Sequence, residues 1–518
     1  MKRVSSSIAI FASVALVLLA GCARERIAPA IAPAPDLLAQ GLRGIAVLRE
    51  GQEPVWQDAV TLDASAKVAL RVIFPAGSPR HVVALALDKP LLAEATLNGQ
   101  RVPPPIEGMR YSRLPGIPPG LLVSGENTLL LTWPVTVRPA RGQTEATPQT
   151  ITADGVGARL FAQSAADLAF QSGPILGCAG PDAFTVTCRT NMPAAVTLET
   201  PGRRFESRAG LMHSFRVEGL RPGTEYAYTL AAVVPGTRNT VVSGPHRVAT
   251  YPTQAPFMFA ILGDSRTHPE DWAKVGAAVA ATRPLFSVFV GDMVAAGRTD
   301  SQWDDEYLRM APEYFATIPY YAVIGNHEQD CPLLPELFPT PGGGKNWVQQ
   351  VGPALLIGID GAVDWSPEGQ LLPWLQDLLA RSTAPFIIFV THYPPWTSGP
   401  HGALRDDGLP KESTIRVAQQ ILMPLLEKHR VTAVFAGHDH NYERSDPPGG
   451  VTVVVTGGAG APMRDKTPTA EKQNPHSKVF AKQLHYCLLT VDDKTCTMKV
   501  YTPEGEIIDQ RVWNARPQ

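Results

Sequence analysis

Two carboxylates, one carboxamide and three imidazoles occupy matching places in this chain. Five apolar runs of strand length each end in one of them. Phe257 to Leu262 leads into Gly263-Asp264, Leu285 to Val290 into Gly291-Asp292, and Tyr320 to Ile324 into Gly325-Asn326. Phe386 to Thr391 leads into His392, Val431 to Ala436 into Gly437-His438, and His440 comes two residues later. Oxygen and imidazole donors without thiolates suit manganese, iron or zinc and disfavour soft metals. If one carboxylate bridges, the set suffices for two ions. Glycine before four of the five residues is expected to let the backbone turn sharply and approach a ligand closely.

The elements that must position these groups can be read from the texture of the same stretch. After Tyr251-Pro252, strand-length apolar runs alternate with helical patterns at Trp272 to Ala281, Asp305 to Ala316, Gln370 to Ala380 and Thr414 to Lys428. That alternation predicts an α/β domain with mainly parallel strands. Sites in open α/β sheets form at the carboxyl ends of strands. The five runs are therefore expected to deliver Asp264, Asp292, Asn326, His392 and His438 to one edge.

Two longer motifs narrow the reading. In Gly325-Asn326-His327-Glu328 and in Gly437-His438-Asp439-His440-Asn441-Tyr442-Glu443-Arg444 the chain resembles the calcineurin-like metallophosphoesterases, and within them the purple acid phosphatase branch, over about residues 255–515. The resemblance implies a four-layer α/β/β/α sandwich. It also implies a first metal ion on Asp264 and His440, a bridging Asp292, and a second ion on Asn326, His392 and His438. Two such ions polarise a phosphoryl oxygen, generate hydroxide near neutral pH and stabilise in-line attack. By the same resemblance, His327 contacts phosphate and protonates the leaving group, and His401 lies on the substrate side. Tyr393, Trp396 and Tyr442 are candidates to hold an aromatic or nucleotide leaving group.

The chain also departs from that pattern. Purple members place a tyrosine three residues after the second aspartate, where this chain has Ala295 in Gly291-Asp292-Met293-Val294-Ala295. Other branches place histidine two residues after the first aspartate, where this chain has Arg266. Either water or His268 completes the first ion, or Arg266 turns to the phosphate, where its guanidinium can hold two oxygens. No purple charge-transfer band is expected.

The rest of the chain reads as delivery and support. Lys2 and Arg3 precede an apolar run from Ile8 to Ala20 that is too short to span a bilayer. Leu19-Ala20-Gly21-Cys22 resembles the bacterial lipobox, which implies a signal peptide over 1–21, lipid on Cys22 and a place in the cell envelope, at the outer membrane facing the periplasm or surface. Residues 22–40 are rich in Ala and Pro and read as a tether. Residues 41–165 read as an all-β sandwich; Leu97-Asn98-Gly99 and Gly125-Glu126-Asn127 resemble jelly-roll accessory domains of carbohydrate enzymes, although a spacer is the simpler role. Within residues 168–250, Leu220-Arg221-Pro222-Gly223-Thr224-Glu225-Tyr226 resembles the tyrosine corner of fibronectin type III domains. The fold class is therefore multidomain: N-terminal β-sandwich domains followed by the α/β phosphoesterase domain over 255–515.

Composition limits partners more than function. Lys and Arg number 46 against 48 Asp and Glu, which gives no electrostatic basis for stable nucleic-acid binding. If Cys22 carries lipid, local disulfides between Cys178 and Cys188 and between Cys487 and Cys496 would suit an oxidising compartment; five reduced thiols are the alternative. The expected activity is hydrolysis of phosphate monoesters on small phosphorylated molecules. Phosphodiesters on the same site, or an inactive cell-surface binding lipoprotein, are the alternatives. The sequence carries no signal for an oligomeric state.

Overall fold

The computed structural model describes residues 36–516, apart from 77–82, 92, 118, 140–146, 362–364 and 366–368. The apolar leader, Cys22 and most of the tether lie outside the described residues. No helix among the described residues is long and apolar enough to cross a membrane.

Residues 42–162 form two facing β-layers. Strands Leu42–Leu48, Ala66–Ala76, Gly125–Val135, Glu94–Leu97 and Gln100–Val102 make one sheet, and Arg159–Ala162, Val83–Leu91 and Tyr111–Ile117 the other. Alternate residues such as Val68, Leu70, Val72 and Phe74 fill the space between them. The asparagines of the jelly-roll-like motifs serve the fold. Asn98 Nδ2 donates to Leu121 O and Asn127 Oδ1, while Asn127, which is buried, bonds the backbone of Val123 and Gly125. These contacts use both side chains to hold strand ends together.

The segment from 170 to 249 is also all β. Tyr226 Oη accepts from Arg221 N at 2.9 Å, the back-bond that pins a strand crossing in a tyrosine corner. This segment does not stand apart from the α/β region beyond it. Strand Phe170–Gly177 runs parallel to Tyr320–Ala322 through the pair Gly177 and Tyr320, so one twelve-stranded sheet crosses the expected domain boundary. Buried Arg189 reaches across the same junction to Asp300 at 2.7 Å.

The α/β region contains two sheets. In the first, Tyr320–Ala322, Ser287–Phe289 and Phe257–Leu262 are parallel neighbours, joined by the antiparallel Tyr486–Val491, Thr495–Tyr501 and Ile507–Asn514. In the second, Ala354–Gly358, Phe386–Val390, Ala433–Ala436 and Thr452–Thr456 are parallel. Side-chain alternation shows how they stack. Phe259 and Ile261 share a core with Phe386, Ile388, Val390 and Phe435, so this layer lies between the sheets. Ala260 and Leu262 face the helix Pro269–Thr282 through Trp272, Val275 and Val279. Ile387 and Phe389 face Leu371–Arg381 through Leu375 and Leu379. The layers are helix, sheet, sheet, helix.

Three expectations are corrected here. The five strands do not share one edge: three belong to the first sheet and two to the second, and their carboxyl ends meet across the sandwich. Apolar runs buried on both faces look alike whichever sheet they join. The helix expected over Asp305 to Ala316 is broken into short turns before Pro312–Thr317, because Pro312 drives Ala311 out of helical geometry, to φ −135° and ψ 57°. Finally, Cys178, Cys188, Cys331, Cys487 and Cys496 are all free thiols. Cys487 lies opposite Val500 and Cys496 opposite Val491, so these two stand at different levels of their hairpin, while Cys178 Sγ bonds Pro339 O instead.

Candidate metal centre

The three strand ends of the first sheet place Asp264, Asp292 and Asn326 beside His392 and His438 from the second. Asp264, Asp292 and His438 have φ of 59°, 57° and 71°, three of only nine non-glycine residues with positive φ among the described residues. Strain of order 1–3 kcal/mol per residue is thus concentrated at the expected ligands themselves, not chiefly at the glycines before them. What those glycines supply is room. A Cβ on Gly325 would stand 2.2 Å from Asp292 Oδ1, and one on Gly437 2.1 Å from Asp264 Oδ2.

Each histidine is anchored by one nitrogen and presents the other. His392 Nδ1 bonds Val290 O at 2.7 Å, and its Nε2 faces Asn326 Oδ1 at 3.1 Å and Asp292 Oδ1 at 3.4 Å. His440 Nδ1 bonds Pro462 O at 2.8 Å, leaving Nε2 3.7 Å from Asp264 Oδ1. His438 donates its backbone N–H to the Asp264 carboxylate, and its Nε2 meets Glu412 Oε2 at 2.9 Å. Such outer hydrogen bonds fix tautomer and ring orientation at metal sites. Anchored in this way, His392 and His440 turn Nε2 inward, and His438 keeps Nδ1 for a ligand.

Charge is balanced locally. Burial, and next the Asp292 carboxylate, push the Asp264 carboxyl well above its usual range, with Arg266 pulling the other way. Burial also raises Asp292, but His392 and His327 outweigh it and hold that carboxyl low. Two carboxyl groups buried this close together are stabilised in their charged form by a nearby cation.

The donor set fits metal on the second-sheet side, where Asp292, Asn326, His392 and His438 converge. On the other side Asp264, Asp292 and His440 offer donor atoms within 4.8 Å of one another, all buried. There, however, Arg266 places Nε 3.4 Å from Asp292 Oδ2 and Nη2 3.3 Å from His440 Nε2. His268 does not enter the site: it is exposed and lies 3.8 Å from Asp271. Ala295, in place of the tyrosine, contributes only backbone, and its carbonyl accepts from His327 Nδ1 at 2.6 Å.

The expected substrate residues divide. His327 is partly exposed, with Nε2 3.8 Å from Asp292 Oδ2 and open to the site. His401 has both nitrogens engaged, Nδ1 with Glu412 Oε1 and Nε2 with Arg464 Nη1, and its ring lies 3.7 Å from that of His438. Tyr393 sets its ring edge-on to His392 and His438, and burial raises its phenol to about 12. Tyr442 is unavailable to a leaving group, being fully buried with Oη on Asp509. Trp396 meets His476 edge-on.

Sequence reasoning assigned no role to three residues that organise the centre. Glu328 is buried and accepts backbone N–H from Asp292, Met293 and Gly325, tying the second and third strand ends together; burial raises its carboxyl to about 8. Glu412 joins His401 to His438; burial would raise its carboxyl, yet the two histidines hold it at about 2. Arg464 arrives on the loop after Thr452–Thr456. That strand also leads into glycines, Gly457-Gly458, as four of the five runs do, and its loop closes over the site through Ala461 N to Asp264 O and Arg464 N to His440 O.

Comparison with known proteins agrees with this geometry. Residues 257–442 match the family model described as calcineurin-like phosphoesterase. A probable purple acid phosphatase 20 from Arabidopsis thaliana is 27% identical over 259 residues, covering 46% of this chain and 56% of the relative. A probable inactive purple acid phosphatase 24 from the same plant is 25% identical, covering 46% and 44%. The chain thus spans about half the length of the curated relatives it matches. The structure of a purple acid phosphatase from yellow lupin seeds superposes with a TM-score of 0.58 at 17% identity, covering 87% of this chain and 93% of that one. The shared fold includes the β-rich region before the catalytic half.

Proposed function

We propose that this chain, whose residues 257–442 form a calcineurin-like phosphoesterase domain, is an exported metal-dependent hydrolase of phosphate monoesters, tethered to the bacterial envelope through lipid on Cys22. The observation that carries the reading is the convergence of Asp292 Oδ1, Asn326 Oδ1 and His392 Nε2 within 3.1 to 3.4 Å contacts at the meeting strand ends. Metal bound there supplies positive charge that polarises a phosphoryl oxygen and makes water a nucleophile near neutral pH. Manganese, iron and zinc all suit the donors.

The protein's own residues do the rest. Asn326 and His392 are held at fixed separation, so the phosphoryl group meets a preorganised charge rather than one that must reorganise. His327 has Nδ1–H committed to Ala295 O, so its second proton, when present, sits on Nε2 facing the site. In that form it can donate to a departing alkoxide or phenoxide. Asp439 and Arg464 close the rim beside His401. Monoesters are favoured because the relatives carry the name of phosphatases, one of them as inactive; diesters on the same site are the nearer alternative.

A second reading, binding without turnover, draws on Arg266 beside Asp292 and on the relative named as inactive. Phosphate release from an aryl monoester and a bis-aryl diester, measured side by side on metal-stripped and manganese-, iron- or zinc-loaded protein, separates all three. Metal-dependent monoester turnover exceeding diester turnover is the expected result. Absence of release from either substrate with every metal would leave the binding reading.

A further inference from the structure

We infer that the Arg266 guanidinium takes the place of the first metal ion, so that the centre holds a single tightly bound divalent ion on the Asn326, His392 and His438 side. The inference rests on the phosphoesterase reading and deepens it. Its basis is which atoms Arg266 touches. His440 has one ring nitrogen committed to Pro462 O, so its only free lone pair is on Nε2, and Arg266 Nη2 lies 3.3 Å from it. Asp292 presents two oxygens: Oδ1 faces His392, and Oδ2 lies 3.4 Å from Arg266 Nε. The guanidinium therefore faces donor atoms of two of the three residues that a first ion would share, Asp292 and His440.

The loop holds Arg266 there. Both Ser265 N and Arg266 N donate to Asp292 O, at 3.1 and 3.3 Å, and the side chain is only 15% exposed. A metal ion binds nitrogen and oxygen donors at about 2.0 to 2.2 Å. Placed between His440 Nε2 and Asp292 Oδ2, it would crowd the guanidinium and set a divalent charge against a permanent cation. Arginine cannot relieve that repulsion by losing a proton. No side chain compensates: His268, the residue expected to complete the first ion, is turned out to solvent, and Ala295, standing where purple members place a tyrosine, has no side-chain donor. The two carboxylates of Asp264 and Asp292 are then countered by one divalent ion and one guanidinium.

The arrangement also gives Arg266 a substrate role. Nη1 makes a long hydrogen bond, 3.4 Å, to Thr267 Oγ1 at the exposed rim, a contact it can exchange for a phosphoryl oxygen. A phosphomonoester dianion would bridge the single ion and the guanidinium.

The test is manganese binding to metal-stripped full-length wild type, Arg266→Ala, Arg266→His and His392→Ala, by calorimetry and elemental analysis, with the Mn2+ paramagnetic resonance spectrum as signature and thermal melting as the check on folding. Wild type is expected to retain about one ion per chain with an uncoupled spectrum. Both Arg266 variants should gain a second ion, with affinity at that position raised by about tenfold or more, and a spin-coupled spectrum. Two ions of similar affinity in wild type, unchanged in Arg266→Ala, would overturn the inference while leaving the phosphoesterase reading intact. No retained ion in wild type, with His392→Ala indistinguishable from it, would overturn both.

Discussion

The two sides of the centre are built from similar residues and solved differently. On the side of Asn326 and His392, the two histidines are anchored by groups other than arginine or lysine, Val290 O for His392 and Glu412 for His438, and Glu328 ties together the strand ends that carry Asp292 and Asn326. On the side of Asp264 and His440 the anchoring is just as complete, through Pro462 O and the His438 N–H, yet Arg266 stands among the donors. Anchoring alone does not make a metal site. The charge already present decides what else can enter.

The largest effect that would sharpen this contrast is expected at His392. Replacement by alanine removes a buried donor on the intact side and should lower kcat/KM by about a thousandfold or more, about 4 kcal/mol of transition-state stabilisation, with the bound ion lost. Next is Glu412→Gln, which leaves the His438 ring in place but weakens its anchor; metal affinity should fall by about 10- to 100-fold, read by calorimetry. The same variant has a stability signature. Glu412 is held at about 2 in the folded protein against an ordinary 4.5, so its contribution is complete above pH 4.5 and disappears as pH falls toward 2. Glu412→Gln should therefore lose less melting temperature than wild type across that interval.

Smaller effects are expected on the other side. His440→Ala should cost only about tenfold in kcat/KM, because Arg266 already supplies charge there. An effect equal to that of His392→Ala would erase the asymmetry. Tyr393→Phe keeps the ring edge against His392 and His438 and should change kcat by less than about threefold; a larger loss would give its hydroxyl a role in binding phosphate.

Local rules set how much of this was legible in the sequence. Asp264, Asp292, Asn326, His392 and His438 each end an apolar run, and the structure brings all five together with His440. What could not be read was which strands share a sheet, since Ile261 and Ile388 are equally apolar and only their common core shows that they face each other. Glu412 was missed because it lies in an irregular loop with no period, where tertiary contacts alone place it. Arg464 left a weaker signal: Thr452–Thr456 leads into glycine as four of the five runs do, but the arginine comes further along the loop. The disulfide expectation failed for a related reason: proximity in sequence across a hairpin does not set the level at which Cys487 and Cys496 stand.

The proposed function is metal-dependent hydrolysis of phosphate esters at these strand ends. It is tested most directly by elemental analysis of the protein lacking residues 1–22, together with phosphate release from an aryl monoester, in wild type and Asp292→Asn. Bound manganese, iron or zinc and turnover are expected in wild type, with both lost in the variant, because Asp292 faces both sides of the centre. Wild type without metal and without turnover after reconstitution, or Asp292→Asn retaining both, would contradict it.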